Sequence, residues 1–277
     1  MQPPRVALVT NVLSHYRVSC FQELAARQDV CVDFFVLTGE MPHRKYVLAT
    51  GEPRFPVRVL PGRAWRRPPS DDLHLNDPRP ALTGYDVVIL GGWAEPTFLA
   101  LWSLALASRK RVGFWIESTL FEERRGGWKD SLKRMMLHRA SVAIVPGSRS
   151  ADYCAWLGMP RKRIFIAPNS IDVAYFRRQA SALAPRRDAL RAELGFSGVV
   201  ILFVGRMVER FKSVSTLIRA FRQVAADSPE TRLVLIGEGP DRVDYERLSS
   251  ELGLDGIQFL NFMSHDDLVR YYAAADI

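Results

Sequence analysis

The sequence predicts an α/β protein made of two doubly wound parallel-sheet domains, and three observations carry that prediction. Short apolar runs alternate with stretches of helical period along most of the chain, the pattern of parallel strands joined by covering helices. Glycines and small polar residues follow many of the strands, at the carboxyl ends where open α/β sheets hold their functional groups. The Ala- and Ser-rich stretch Gln179 to Pro185 reads as a linker between two such series.

The first series opens with a strand at Arg5 to Thr10, the loop Asn11 to His15, and a helix from about Tyr16 to Arg27. Val30 to Leu37 is a second strand. Thr38 to Thr83 is rich in Gly, Pro, Arg and Asp, and only Val57 to Leu60 reads as a strand there. Such an insert is often functional. Arg63, Arg66 and Arg67 around Trp65 suit either an anionic acceptor or a solvated loop. Alternation then resumes, with strands at Asp86 to Leu90, Arg111 to Ile116, Ser141 to Val145 and Arg163 to Ala167. Helices at Pro96 to Ser108, Trp128 to Arg139 and Arg149 to Leu157 separate them. The carboxyl-end candidates are Ser14 to Arg17, Gly91-Gly92 and Glu117-Ser118.

The second series begins with a helix at Arg187 to Leu194 and the strand Val199 to Val204, six apolar residues that read as fully buried. Gly205, Arg206 and a cationic loop to Lys212 follow, and a helix starts at Ser213. A glycine permits close approach of backbone to a ligand. A helix start presents unpaired N–H groups and the positive end of a dipole. With two permanent cations beside it, this loop suits a diphosphate, or else is a solvated surface turn. Arg232 to Ile236 is a strand running into Gly237-Glu238-Gly239-Pro240, then come a helix to Leu252, a strand at Ile257 to Leu260 and a helix at Asp266 to Ala274. Asp276-Ile277 reads as the start of another strand, so the chain is expected to be truncated.

At 277 residues, 48% hydrophobic and 25% charged, the chain has the composition of a soluble two-domain protein and not of a disordered one. Its net charge of +8 favours an anionic partner. Cys20, Cys31 and Cys154 form no Cys-x-x-Cys pair and read as small buried hydrophobes, which suits a reducing compartment. The N-terminus enters a strand at once, leaving no room for a signal peptide. The apolar run Phe98 to Ala107 is too short to span a bilayer. A cytoplasmic protein is expected.

Taken as an ordered set, Gly205-Arg206 with Lys212, Gly237-Glu238-Gly239-Pro240, and Asn169-Ser170-Ile171-Asp172 with Phe176 resemble the signatures of the family 4 glycosyltransferases. The resemblance implies the GT-B fold, two Rossmann-like domains facing a cleft. Residues 1–178 would bind the acceptor and residues 179–277 the nucleotide-sugar donor, in an incomplete domain. It implies a retaining transfer from a nucleotide-diphosphate sugar, a co-substrate and not a cofactor, to a glycan, lipid-linked or small-molecule acceptor. Arg206 and Lys212 match the cations that hold the donor diphosphate, where charge develops as the sugar–phosphate bond breaks. Gly205, Gly237, Glu238 and Gly239 match the nucleotide loops, and Phe262 and Met263 lie in the segment that in similar proteins faces the base. On local grounds Gly237-x-Gly239 suits a tight turn equally, and Asn261 to Ser264 an ordinary strand end. The absence of any Asp-x-Asp pair agrees with metal-independent chemistry, so no metal ligands are assigned.

Three departures from the family pattern stand out. Ser14-His15-Tyr16-Arg17 replaces a glycine-rich loop, with Arg17 a candidate phosphate contact. Glu117 stands where many relatives carry a histidine, and serves either as a catalytic carboxylate or as a structural one. Lys212-Ser213 replaces a common Lys-Gly pair. The glutamate-rich donor motif would lie after Ile277.

The basic segment Arg124 to Arg139 suits either contact with an anionic membrane beside a lipid-linked acceptor, or a solvated helix with Trp128, Leu132, Met135 and Met136 turned away from the charges. Nucleic acid is not expected as a partner. A sugar-nucleotide epimerase on the same fold, or an inactive fragment of a transferase, are the alternatives. A nicotinamide enzyme is not favoured, since no Gly-x-Gly-x-x-Gly follows Thr10 or Val204.

Overall fold

The computed structural model describes residues 2–39, 54–65, 72–122 and 126–277. Arg66, Arg67, Arg124 and Arg125 lie outside the described residues. Among those described, the chain up to Ile171 forms one compact unit and Asp172–Ile277 a second.

The first unit contains, in order, β1 (Arg5–Thr10), α1 (His15–Ala26), β2 (Cys31–Val36), β3 (Val57–Val59), β4 (Gly62–Trp65), β5 (Leu73–Asn76) and β6 (Val87–Leu90). It continues with α2 (Pro96–Ala107), β7 (Arg111–Trp115), α3 (Trp128–His138), β8 (Val142–Val145), α4 (Ser148–Trp156) and β9 (Ile164–Ile166). Seven strands form one parallel sheet in the order β3-β2-β1-β6-β7-β8-β9. The order reverses at β1, the switch point of a doubly wound sheet, where ligands bind at the strands' carboxyl ends.

Period-two alternation sorts each strand between two covering layers. Ala7, Val9, Val88, Leu90, Val112, Phe114, Ala143 and Val145 face a core completed by Phe98 and Leu101 of α2, Met136 and Leu137 of α3, and Tyr153 and Cys154 of α4. On the other face Phe21 of α1 stacks on Phe34 at 4.8 Å and meets Trp115 edge-on at 5.8 Å. Cys154 is buried as expected, but Cys31 is exposed because it opens β2 before that strand enters the core.

The insert expected to be mostly irregular also carries an antiparallel hairpin, β4 with β5. Its anchor is polar. His74 and Asn76 of β5 are buried while Leu75 is 47% exposed, the reverse of an apolar alternation. The His74 N–H donates to Glu95 Oε2 (2.7 Å), the Asn76 N–H to Thr97 Oγ1 (2.8 Å), and Asn76 Nδ2 to the carbonyls of Leu37 and Leu60. Glu95 and Thr97 stand at the start of α2, so the hairpin is held down through hydrogen bonds.

The second unit contains α5 (Val173–Leu183), α6 (Arg187–Glu193), β10 (Val200–Val204), α7 (Glu209–Lys212) and α8 (Val214–Asp227). β11 (Arg232–Ile236), α9 (Arg242–Glu251), β12 (Ile257–Leu260) and α10 (His265–Ala274) follow. Its parallel sheet runs β10-β11-β12. The stretch Gln179 to Pro185, expected as a linker, is helical instead: α5 reaches Leu183 and a short 3-10 turn follows. Alanine favours helix intrinsically, and α5 packs on α10 with Phe176 edge-on to the rings of His265 and Tyr272.

β10 is not fully buried as its composition suggested. Only Val200 is, and Val204 is 36% exposed, because β10 stands at one side of the described three-stranded sheet. Alongside it, the Leu202 N–H donates to the Ile277 carbonyl (2.8 Å) and the Asp276 N–H to the Val200 carbonyl (2.9 Å).

Candidate functional site

In the second unit the loops leaving the three strands are stitched together at the carboxyl edge. The Gly205 N–H donates to the Ile236 carbonyl, the Met207 N–H to the Glu238 carbonyl, and the Gly237 N–H to the Leu260 carbonyl, at 2.9–3.0 Å. Arg242 then bridges Asn261 Oδ1 (2.7 Å) and the Gly237 carbonyl (3.4 Å). Gly205, Arg206, Gly237, Glu238, Gly239, Phe262 and Met263 therefore belong to one continuous rim. Phe262 is 38% exposed on it, whereas Met263 packs partly into the core beside α10.

The two glycines of the second loop serve the loop–loop contact. A Cβ on Gly237 would stand 2.0 Å from the Gly205 carbonyl oxygen, and one on Gly239 2.1 Å from that of Met207. Gly237 also holds φ +147°, which side-chain-bearing residues rarely adopt. Their requirement is met inside the protein, by backbone meeting backbone.

The cationic stretch expected as a loop closes into the short turn α7. Its ends are occupied by the chain's own carboxylates. Asp241 Oδ2 accepts the Glu209 N–H (2.7 Å), and Glu209 accepts the Ser215 hydroxyl (2.7 Å) and N–H (3.2 Å) in the first turn of α8. The Ser215 hydroxyl above all holds the Glu209 carboxyl below its usual range. The start of α8, read from sequence as an open anion site, is thus already filled. What remains for an anion is side-chain charge. Arg206 is half-buried and Lys212 exposed, and among the described residues neither pairs with a carboxylate. Lys212 folds back toward Gly205, its Cε 3.9 Å from where a Gly205 Cβ would stand. Ser213, between α7 and α8, is left-handed at φ 48° and ψ 43°, the geometry that explains why glycine is common there.

In the first unit a separate cluster gathers at the carboxyl ends of β1, β7 and β9. Ser14 precedes α1 and is buried, His15 begins that helix, and Tyr16 and Arg17 lie in its first turn. Arg17 is only 7% exposed, and its Nη2 donates to Glu117 Oε1 at 2.6 Å. Its guanidinium stands 5.3 Å from the Trp115 ring and 5.9 Å from that of Tyr16. Asn169 Nδ2 reaches the same Glu117 oxygen at 3.3 Å. Arg17, expected at a phosphate, is engaged here with a carboxylate, and its buried Nε has no hydrogen-bond partner. Glu117 keeps 39% of its side chain exposed, so it combines an internal anchor with access from solvent.

Asp172 and Phe176, singled out by the family signature, do structural work. Asp172 Oδ1 caps α5 by accepting the Tyr175 N–H (2.8 Å). Asp241 and Glu209 escaped the sequence reading, since nothing in a local charge pattern says which backbone amide a carboxylate will reach.

Two parallel α/β units of this kind define the GT-B class of fold. Crystal structures agree: HepE of Anabaena in complex with UDP superimposes with a TM-score of 0.68 at 17% identity, covering 99% of this chain and 72% of that one. A UDP-N-acetylglucosamine 2-epimerase matches at TM-score 0.55 and 13% identity, over 99% and 72% of the two chains. Residues 187–277 match the family model described as glycosyl transferases group 1. The second unit, which these residues largely make up, is thus similar to that family.

Among curated relatives, the GDP-mannose-dependent monoacylated alpha-(1-6)-phosphatidylinositol monomannoside mannosyltransferase of Corynebacterium glutamicum is 32% identical over 161 residues, 50% of this chain and 41% of that protein. The D-inositol 3-phosphate glycosyltransferase of a Nocardioides species is 32% identical over 133 residues, 42% and 28% respectively. The chain therefore spans less than half the length of either relative.

Proposed function

We propose that the protein to which this chain belongs is a retaining glycosyltransferase that takes a nucleotide-diphosphate sugar as donor. The observation that carries the reading is the pair Arg206 and Lys212 on the rim beside Gly205, neither paired with a carboxylate among the described residues while Glu209 bonds Ser215 of α8. Two cations beside the Gly205 backbone, with no carboxylate partner among the described residues, suit a leaving diphosphate, whose charge grows as the sugar–phosphate bond breaks. The diphosphate itself takes the acceptor's proton on the same face, so no strong protein base is required. Glu117, braced by Arg17 and Asn169, would orient a sugar hydroxyl or face the cationic centre. Gly237, Glu238, Gly239 and Phe262 would line the nucleotide, with Met263 supporting them from the core side.

The chemistry needs no metal, because Arg206 and Lys212 supply the positive charge. The names of the relatives above give a phosphatidylinositol monomannoside and D-inositol 3-phosphate as acceptors, and a lipid-linked, glycan or small-molecule acceptor is the corresponding class here. No described helix is long and apolar enough to cross a membrane, and peripheral attachment at the cytoplasmic face would bring such an acceptor within reach.

Titration of this chain with UDP, GDP and ADP by calorimetry tests the site directly. One diphosphate is expected to bind, and Arg206→Ala or Lys212→Ala to weaken it. In the longer protein each substitution is expected to lower turnover at least ~100-fold. Wild-type turnover in both variants would sink the assignment. Incubation with donor alone separates transfer from the epimerase alternative, since an epimerase consumes donor without any acceptor.

A further inference from the structure

We propose that the outer face of α3, with Phe121 and the adjoining surface of α4, is a docking surface for an anionic lipid bilayer. Phe121 is 78% exposed, Trp128 73% and Met135 48%. Trp128 and Met135 are seven residues apart and share one side of α3, while Met136 and Leu137 bury the opposite side in the core. From sequence, the solvated-helix alternative put the Met and Leu residues in the core, and Trp128 and Met135 were expected on the side away from the charges. The structure instead leaves both outside, among them.

Cations interleave with these apolar groups. The Arg149 guanidinium stands 5.5 Å from the Phe121 ring centre, and that of Arg134 4.3 Å from Trp156, itself 37% exposed. Lys129 and His138 are exposed on α3 as well. Among the described residues the acidic groups nearby are engaged: Asp130 is buried and accepts the Gly126 N–H, Asp152 pairs with Arg161, and Glu122 accepts the Thr119 N–H. Among the described residues, what faces outward is aromatic and predominantly positive, with Asp152 and Glu122 the exposed exceptions. Protein–protein interfaces are depleted in lysine, whereas Trp with interspersed Lys and Arg matches the interfacial layer of an anionic membrane.

Topology adds a consequence. Phe121 lies four residues beyond Glu117, in the connection that leaves β7. An acceptor held in the bilayer would therefore be presented near that carboxylate. The docking proposal itself does not rest on the glycosyl-transfer reading.

Cosedimentation of the chain with vesicles of equal parts phosphatidylglycerol and phosphatidylcholine tests it. Binding is expected to be at least ~10-fold stronger than to phosphatidylcholine alone, and to be lost at high salt. The Trp128→Ser/Phe121→Ser double variant and Lys129→Glu are each expected to weaken binding at least about fivefold, with circular dichroism unchanged. Lys129 is exposed, so its replacement leaves the fold intact should the double variant fail. No cosedimentation, equal binding to both vesicles, or unaltered binding by the variants would overturn the proposal. Retention on heparin without vesicle binding would assign the patch to a soluble polyanion, and self-association abolished by the same substitutions would assign it to a second copy of the chain. Either result overturns it too.

Discussion

At Gly239 a methyl group would overlap the Met207 carbonyl, and at Gly237 that of Gly205, so both residues are glycines for the sake of the neighbouring loop. Gly-x-Gly after a strand reads equally as a nucleotide turn or a tight turn, and the letters do not name the partner backbone. Gly239→Ala must push the two loops apart, and a loss of about 1–3 kcal/mol or more is expected in urea denaturation. The loss should come with weaker diphosphate binding, because the displaced loop carries Arg206. Arg206 and Lys212 themselves were legible as cations following the first strand of the second series. That neither pairs with a carboxylate among the described residues was not, since the nearby Glu209 bonds Ser215.

Elements built on apolar alternation were recovered from the sequence, and those built on buried polar groups were not. β5 escaped because its inward positions are His74 and Asn76, residues that read as surface until their partners at Glu95, Thr97, Leu37 and Leu60 are known. Glu95→Ala would strand the buried His74 N–H. Such an unsatisfied donor costs about 1–3 kcal/mol, and the expected readout is a lower denaturation midpoint. Thr97→Ala tests the companion bond and should act in the same direction. α3 shows the converse: its helical period was plain, but which apolar residues it buries was decided by the packing of the first unit's core. That core takes Met136 and Leu137 and leaves Trp128 and Met135 outside.

For the molecule as a whole, two parallel α/β units were legible from the alternating pattern, yet the stretch chosen as their linker turned out helical. Its alanines favour helix, and a packing partner in α10 lay far along the chain. Asp276 ties distant parts of the second unit together in the same way. It accepts the Val200 N–H and the guanidinium groups of Arg187 and Arg191. The Val200 N–H foremost lowers its pKa to about 2.

Because this folded value lies below the unfolded one of about 3.9, the contribution is present above that value and is lost as pH falls through about 2. Asp276→Asn is expected to be less stable than the parent near neutral pH, and the difference should shrink on acidification. A constant difference across that range in denaturant titrations would refute the assignment.

The sequence by itself determined the strand–helix alternation, the loops that end each strand of the second sheet, and the presence of two cations on the first of them. Those are local properties, set by periodicity and residue type within a few positions. Only the tertiary structure decided that the α8 start is closed by Glu209, that Arg17 braces Glu117 across 100 residues of sequence, and that Trp128 faces out. Each of those is a distance between groups brought together by chain crossovers, and a charge or an apolar surface carries no record of its partner until the fold supplies one.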